Sequence, residues 1–239
     1  MARHGITTPG QPIIMALENS GMCGSIALVS PGLCVAESSL TTAATHSKRL
    51  MGGIAAMLKD SGLDWPAIDA VAVSLGPGSF TGLRISLAAA KGIAMAADKK
   101  LIGIPTLDGL AAQIQTNILI CPLIDARKNQ VYTAFYRRQE GECRRLSPYA
   151  AITPDNLGSQ IKEPVIFIGD GGVLYHDLLR DKLPGLANFA NPTIFFPRAA
   201  AIGSLAIHRW QADEFLDPLN AVPLYIRASD AEKMKKPVE

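Results

Sequence analysis

Short apolar runs, turn clusters and stretches of helical period follow one another along the chain in a recognisable order. Ile13-Ile14-Met15-Ala16-Leu17 is a continuous apolar run that suits a buried strand, and Glu18-Asn19-Ser20-Gly21 is turn chemistry. Ser25-Ile26-Ala27-Leu28-Val29 resumes as a strand, and Ser30-Pro31-Gly32 turns the chain into a third over 33–38, which predicts an antiparallel meander. From Ser47 the period becomes helical, with Leu50, Ile54, Met57 or Leu58, and Ser61 on one face and Gly62 as the stop. A strand over 70–75, a glycine-rich loop from Gly76 to Gly82, a helix over 83–97, a strand over 101–104 and a helix over 107–115 complete the first half.

The second half repeats this order in weaker form. A strand over 117–124 is broken by Asp125-Ala126-Arg127-Lys128-Asn129, a second strand covers 131–136, and a third is expected at 142–146. A strand over 165–168 leads through Gly169-Asp170-Gly171-Gly172 into a helix over 173–183, and the last clear helix covers 199–211. Both halves open on an apolar strand, an acidic residue (Glu18 or Asp125), a polar turn and a second strand. The pattern therefore predicts an α/β protein of two lobes, each a mixed sheet flanked by helices, descended from a duplication whose second copy has degraded. The expected limits are 13–112 and 113–228, with a flexible extension over 1–12 and a loose tail over 229–239. Two acidic turns facing each other across a cleft can each wrap a phosphate in backbone N–H groups while the carboxylates hold hydrated magnesium. This is the layout of the actin, sugar-kinase and Hsp70 class. The plainer alternative is that Glu18 and Asp125 only stabilise their turns.

Composition narrows the function classes. At 239 residues and 48% hydrophobic the chain can fill one large core or two ordinary ones, and disorder is excluded as its main state. Its 23 basic against 21 acidic side chains leave too small a surplus to mark a nucleic-acid binder by bulk charge. Any RNA role is local or exercised through a partner; the basic doublets Arg127-Lys128, Arg137-Arg138 and Arg144-Arg145 are the local candidates. Cys23, Cys34, Cys121 and Cys143 form no C-x-x-C pair, so buried free thiols are expected rather than a disulfide framework or a zinc ribbon. His4, His46, His176 and His208 lie far apart, without H-E-x-x-H, and there is no G-x-S-x-G elbow. The start lacks an apolar leader core, and the run 85–97, interrupted by Lys91, is too short to span a bilayer. A soluble, intracellular protein is expected.

The most specific segment is Gly76-Pro77-Gly78-Ser79-Phe80-Thr81-Gly82-Leu83-Arg84. Its glycines permit close backbone approach, and Ser79 and Thr81 can cap a helix whose free N–H groups attract anions. It is not a Walker loop, since no Lys-Ser or Lys-Thr follows the last glycine. Arg84 opposes the macrodipole unless an anion lies near it, whether an acid of this chain, a phosphate or a carboxylate of a partner. The helix that follows is apolar nearly all round and rich in small residues. It must be sandwiched, either inside its own lobe or against another subunit.

Through this nine-residue loop the sequence resembles the TsaB (YeaZ) family. The resemblance extends to the opening hairpin, to Gly103-Ile104-Pro105-Thr106-Leu107, to Ile124-Asp125-Ala126-Arg127 with Val131-Tyr132, and to Pro223-Leu224-Tyr225-Ile226-Arg227. It implies an actin-like (ASKHA) fold and a cytoplasmic homodimer that exchanges for a heterodimer with the catalytic paralogue TsaD. With the ATPase TsaE, that complex transfers threonylcarbamoyl from an adenylate to the adenosine beside the anticodon of tRNA; the wider family has also carried a glycoprotease (M22) label. The implied pairing surface comprises the helices over 47–61 and 83–97, with Leu50, Ile54, Met57, Phe80, Arg84, Ile85, Ala88, Ala89 and Met95. The candidates for nucleotide or anion contact are Glu18, Ser20, Gly76, Gly78, Ser79, Thr81, Asp125, Gly169 and Asp170. Where the paralogue carries a metal-binding H-x-x-x-H, this chain reads Thr106-Leu107-Asp108-Gly109-Leu110; where the family usually has Asp-Thr-Ser, it reads Glu18-Asn19-Ser20. The expectation is a scaffold without catalytic residues, metal or cofactor of its own, with ATP or ADP and metal in the TsaD partner or at the interface, and with tRNA reached through the complex. The rival reading is an actin-like small-molecule kinase or acyl-phosphate transferase with its own ATP site.

Overall fold

The structure is a computed structural model that describes residue 8 and residues 10–41 and 46–227. Most of the extension read over 1–12, His4 and the tail read over 229–239 lie outside the described residues. The first sheet, in the order β3-β2-β1-β4-β5, comprises β1 (Ile14–Glu18), β2 (Cys23–Ser30), β3 (Leu33–Thr41), β4 (Ala70–Gly76) and β5 (Lys100–Pro105). β1 to β3 form the antiparallel meander, and β4 and β5 run parallel to β1. Its helices are α1 (His46–Ser61), α2 (Phe80–Ala96) and α3 (Thr106–Ala112).

The second sheet repeats the plan in the order β10-β7-β6-β11-β12. It is built from β6 (Leu119–Arg127), β7 (Gln130–Thr133), an added hairpin of β8 (Tyr136–Gln139) and β9 (Glu142–Arg145), β10 (Ala150–Ile152), β11 (Val165–Ile168) and β12 (Ala187–Phe189). α4 (Pro154–Gln160) precedes β11, α5 (Asp170–Leu174) and α6 (His176–Lys182) follow it, and α7 (Ala199–Gln211) follows β12. Strand by strand and helix by helix the two halves correspond, which is the actin-like arrangement with an internal repeat.

Several element boundaries differ from the pattern reading, each for a local reason. The apolar run 131–136 is two strands: β7 ends at Thr133, and Tyr136 opens β8, which turns back to pair with Ile120 of β6. The third strand of the repeat is the mild Ala150-Ala151-Ile152 of β10, not 142–146, which is the return strand of the added hairpin. β6 does not stop at Asp125 but pairs on to Arg127, opposite Gln130. The helix over 173–183 is broken at Tyr175, whose φ of −108° and ψ of 21° leave the helical region.

Alternation along the central strands sends side chains to two different layers. Met15, Leu17, Val71, Val73 and Leu101 face α1 and α2, together with the buried Leu50, Ile54 and Met57. Ile14, Ala16, Ala27, Ala70 and Ala72 face the other way, onto Ile202, Ala206 and Ile207 of α7. The small residues of that face let α7 come close: a Cβ on Gly203 would stand 2.6 Å from a methyl of Val29. The stretch 113–228, read as one lobe, thus sends its last helix onto the first sheet. The first sheet also caps it, since Ala199 N–H donates to Ser25 Oγ at 3.1 Å and Ala200 N–H to Glu37 Oε1 at 2.9 Å. Reciprocally, Leu107, Leu110, Ala111 and Ile114 of the α3 region pack on Ile120, Ile124, Tyr136 and Ile168 of the second sheet. The two exchanged helices meet where a Cβ on Gly109 would lie 2.6 Å from Ile202 Cδ1.

Ile202 is fully buried at this crossing. Ile202→Ala is expected to cost about 2–4 kcal/mol, as large-to-small core substitutions do, and so to lower the melting midpoint by roughly 5–15 °C. A urea or thermal melt measures it; a loss below about 1 kcal/mol would show that the crossing is loosely packed.

Candidate functional site

The glycine-rich loop closes on its own chain. A Cβ on Gly78 would collide with the carbonyl of Ser20, and one on Gly82 with the carbonyl of Asn19, so only glycine permits the contact. Ser79 N–H donates to Ser20 O at 2.6 Å, and Asn19 Nδ2 reaches Gly82 O at 3.4 Å. Ser79 also caps α2, its Oγ accepting from Gly82 N–H at 3.2 Å. The helix therefore starts at Phe80, earlier than the apolar period suggests, with Thr81 exposed in its first turn. The backbone cradle expected for an anion, from the buried Gly76 onward, is a clamp on the turn Glu18-Asn19-Ser20.

Beneath that clamp the polar side chains are enclosed. Glu18 is 1% exposed; its Oε1 accepts Ser20 N–H at 2.5 Å. Its Oε2 is buried without a hydrogen-bond partner among the described residues, as are the hydroxyls of Ser20, Ser74 and Thr106. These groups sit at the carboxyl ends of β1, β4 and β5, where open α/β sheets bind ligands. Burial pushes the Glu18 carboxyl above its ordinary 4.5, and the neighbouring Ser20 and Ser74 offset this only in part.

The second acidic turn is built differently. Asp170 opens α5, and its Oδ1 accepts Asp125 N–H at 3.0 Å. Burial, followed by the adjacent Asp125 charge, raises its carboxyl above the usual range. Asp125 is occupied by Arg127, accepting the backbone N–H at 2.8 Å and pairing with the guanidinium at 3.1 Å. Gly169, at φ +111°, packs its backbone against the carbonyl of Leu123, so this turn too is filled by its own strand.

The two turns do face each other. Ser20 and Gly21 lie on one side and Ile124 and Asp170 on the other of a cavity closed by Phe195, Phe196 and Pro197. Its volume is only ≈ 10 Å³, room for about one water. The plug is held by stacking of Phe195 on Phe196 at 4.3 Å and by Gln113 Nε2 donating to Phe196 O at 3.3 Å. The residues present do not fit the nucleotide and magnesium of an actin-like site: the cradle is clasped by the opening turn, Glu18 is enclosed, and the cleft is plugged. The α3 stretch that stands in place of an H-x-x-x-H is likewise structural, with Asp108 Oδ1 accepting from Tyr136 Oη at 2.6 Å and Tyr149 Oη at 2.8 Å.

An open surface lies outside the cleft, on α1 and α2. Leu50, Ile54 and Met57 point into the core rather than outward; among the described residues of α1 the exposed ones are Met51, Gly52, Ala55, Ala56, Lys59 and Asp60. On α2 the sequence-predicted residues divide, with Phe80, Arg84, Ala88 and Met95 exposed and Ile85 and Ala89 half-buried. The helix that reads as apolar all round is thus buried on one side and bare on the other.

The segment 213–227 borders that surface. Leu216 N–H donates to Leu101 O at 2.8 Å and Leu224 N–H to Leu75 O at 2.8 Å, while Lys91 Nζ holds the carbonyls of Leu219 and Ala221 at 3.2 and 3.1 Å. Tyr225 Oη then accepts Arg84 Nε–H at 3.1 Å, and the guanidinium lies 3.6 Å from the centroid of Phe80. Sequence reasoning singled out Pro223-Leu224-Tyr225-Ile226-Arg227 but missed this role, because nothing local in a polar coil marks what it lies against.

Several of the remaining candidates make contacts within the chain. Arg137 pairs with Glu163 and Arg144 with Glu140 and Glu142, while Arg138 donates to the carbonyls of Ile114, Gly141 and Ala112. Cys23 and Cys121 are buried as expected, but Cys34, on the edge strand β3, is exposed. His176 contacts Asp177 at 3.1 Å and stacks on Phe189. Among the described residues no group of His, Cys, Asp and Glu is arranged to hold a metal, and no helix is long and apolar enough to cross a membrane.

Residues 40–233 match the family model described as TsaD: tRNA N6-adenosine threonylcarbamoyltransferase. The chain is 29% identical over 223 residues to the tRNA threonylcarbamoyladenosine biosynthesis protein TsaB of Bacillus subtilis, covering 92% of this chain and 96% of that one. It is 28% identical over 229 residues to TsaB of Escherichia coli, with coverage of 92% and 96%. Among solved structures, YeaZ from Pseudomonas aeruginosa superposes with a TM-score of 0.78 at 27% identity, over 90% of this chain and 99% of that one.

The enclosed carboxylate makes a pH prediction. Because the folded chain holds the Glu18 proton more tightly than the unfolded chain does, stability falls as pH rises from 4.5 through the raised value. Glu18→Gln keeps the acceptor for Ser20 N–H and removes the charge. It is expected to be more stable than the parent by about 1–3 kcal/mol at pH 8, with the advantage fading toward pH 4. Urea denaturation across that range checks the sign; a difference that does not change with pH would contradict it.

Proposed function

We propose, from the premise that this chain belongs to the family of TsaD, tRNA N6-adenosine threonylcarbamoyltransferase, and resembles TsaB over nine-tenths of its length, that it is a non-catalytic subunit of the machinery that makes threonylcarbamoyladenosine in tRNA. The observation that carries this reading is the cleft. The clamp and the residues Phe195, Phe196 and Pro197 crowd the space between the two acidic turns, which supports a reading in which this chain holds no nucleotide of its own. What the chain offers instead is the surface of α1 and α2, apolar and small-sided, which suits helix-to-helix docking. A TsaD-like paralogue pairs there and supplies nucleotide, metal and catalytic groups. A homodimer competes for the same face, a TsaE-like ATPase acts on the assembly, and tRNA is engaged through the complex in the cytoplasm. The chain's contribution to threonylcarbamoyl transfer is to hold the catalytic subunit in its competent form, and no chemical step falls on its own residues.

The kinase reading requires that nucleotide bind the isolated chain. Calorimetric titration with magnesium-ATP is expected to show no saturable binding up to millimolar nucleotide; a micromolar site would reinstate that reading. Ala88 is exposed in the middle of the α2 stripe, so Ala88→Glu is expected to leave the isolated fold within about 0.5 kcal/mol of the parent. The same change should weaken pairing with the TsaD-like partner and the homodimer by tenfold or more, and should lower threonylcarbamoyladenosine in tRNA measured by mass spectrometry. Unchanged pairing would remove the face from consideration.

A further inference from the structure

Arg84 is a charged side chain whose placement neither the core nor the cleft explains. It sits in the second turn of α2, against the macrodipole. Among the described residues no acid pairs with it: Nε donates to Tyr225 Oη at 3.1 Å, and the guanidinium plane rests on Phe80. The rings of Phe80 and Tyr225 lie 5.6 Å apart, and both side chains are partly exposed. The bond through Nε and the contact with Phe80 hold the guanidinium in place, and among the described residues its two terminal nitrogens have no hydrogen-bond or ion-pair partner. That is a fork held ready for a carboxylate, with the ordering cost already met by the fold. It stands at the end of an apolar field, with Leu219 at 72% and Val222 at 68% exposure on the segment held along α2 by Lys91, and Met95 at 58% on α2 itself. A partner covering that field would desolvate the fork, which makes an unpaired arginine costly and a paired one selective.

We infer that Arg84, held by Phe80 and Tyr225, is the receptor for a carboxylate of the heteromeric partner, so that it selects the TsaD-like subunit over a second copy of this chain. The inference rests on the pairing face proposed above and adds the chemistry the partner must present. Among the described residues of a second copy, Asp217 is engaged by Leu219 N–H and by Asn220, and the exposed Asp60 at the end of α1 is the acid against which the test discriminates.

The test uses the full chain and its TsaD-like partner, with Arg84→Gln, Arg84→Lys, Arg84→Glu, Tyr225→Phe and Ala88→Glu measured side by side. Heterodimer affinity by calorimetry is expected to fall roughly tenfold or more for Arg84→Gln. Arg84→Lys should also fall, because an ammonium can neither stack nor fork in the same way. Homodimerisation by sedimentation should be unchanged or slightly tighter. An acid-to-arginine scan on the partner should find one position that restores binding to Arg84→Glu, a rescue that a merely structural arginine would not give. Heterodimer affinity within twofold of the parent for Arg84→Gln would overturn the inference. So would equal weakening of the homodimer, rescued by Asp60→Arg, or loss of tRNA retention with the binary affinity intact, which would assign the cation to an RNA phosphate. If Ala88→Glu abolishes pairing while Arg84→Gln does not, the face stands and the receptor falls. If neither matters, both fall.

Discussion

The architecture depends on an exchange: each half places its last helix on the other half's sheet. α7 covers the alanine-rich face of the first sheet, and α3 covers Ile120, Ile124 and Tyr136 of the second. Neither sheet has both faces covered by its own half. Each would expose a row of apolar side chains if the other were removed, at a cost on the order of 25 cal/mol per Å². The arrangement also fixes where the two acidic turns lie, since α3 and α7 cross between them at Gly109 and Ile202. A cleft between the turns is a consequence of that crossing, whatever fills it.

What fills it here is the chain itself. A glycine that approaches a phosphate in a ligand-binding loop can equally approach a carbonyl, and the carbonyls of Asn19 and Ser20 occupy that approach in this protein. The Glu18 side chain turns its carboxylate back onto Ser20 N–H, inside the sheet end. Enclosure then raises its proton affinity, so that burial, rather than a ligand, sets the chemistry of this carboxylate. The same backbone motif thus serves stability once the ligand's place is taken.

The order of strands and helices was legible because hydrophobic period and turn residues are local. The first meander, α2 and α7 all appear where the pattern places them, give or take a cap. The second half was legible only in outline. β10 is three residues of modest propensity, and the added β8–β9 hairpin continues the apolar run of β7 without a turn residue to mark the change of partner. The site was half legible: the loop and the two acidic turns could be named, but not that they close on each other. Whether Leu50 and Ile54 face a partner or the core is decided by which side of α1 meets the sheet. A helix with apolar residues on its core face and small residues on the other leaves that undecided in one dimension. The plug at Phe195 and Phe196 and the aromatic setting of Arg84 arise from contacts across long stretches of chain, which no local pattern encodes.

The segment 213–227 explains how an exposed helical face can be a rigid one. It begins beside β5, where Leu216 pairs with Leu101, runs along α2 under the grip of Lys91, and bonds to Leu75 just before the glycine-rich loop. It then enters the second half, where Ile226 packs against the core under α3 and Arg227 donates to Ala126 O and Gln130 Oε1 beside the second acidic turn. The stripe on α2 is thereby tied to both sheets at once. A surface anchored in this way gives up little conformational freedom when a partner covers it, so more of the contact energy remains as affinity.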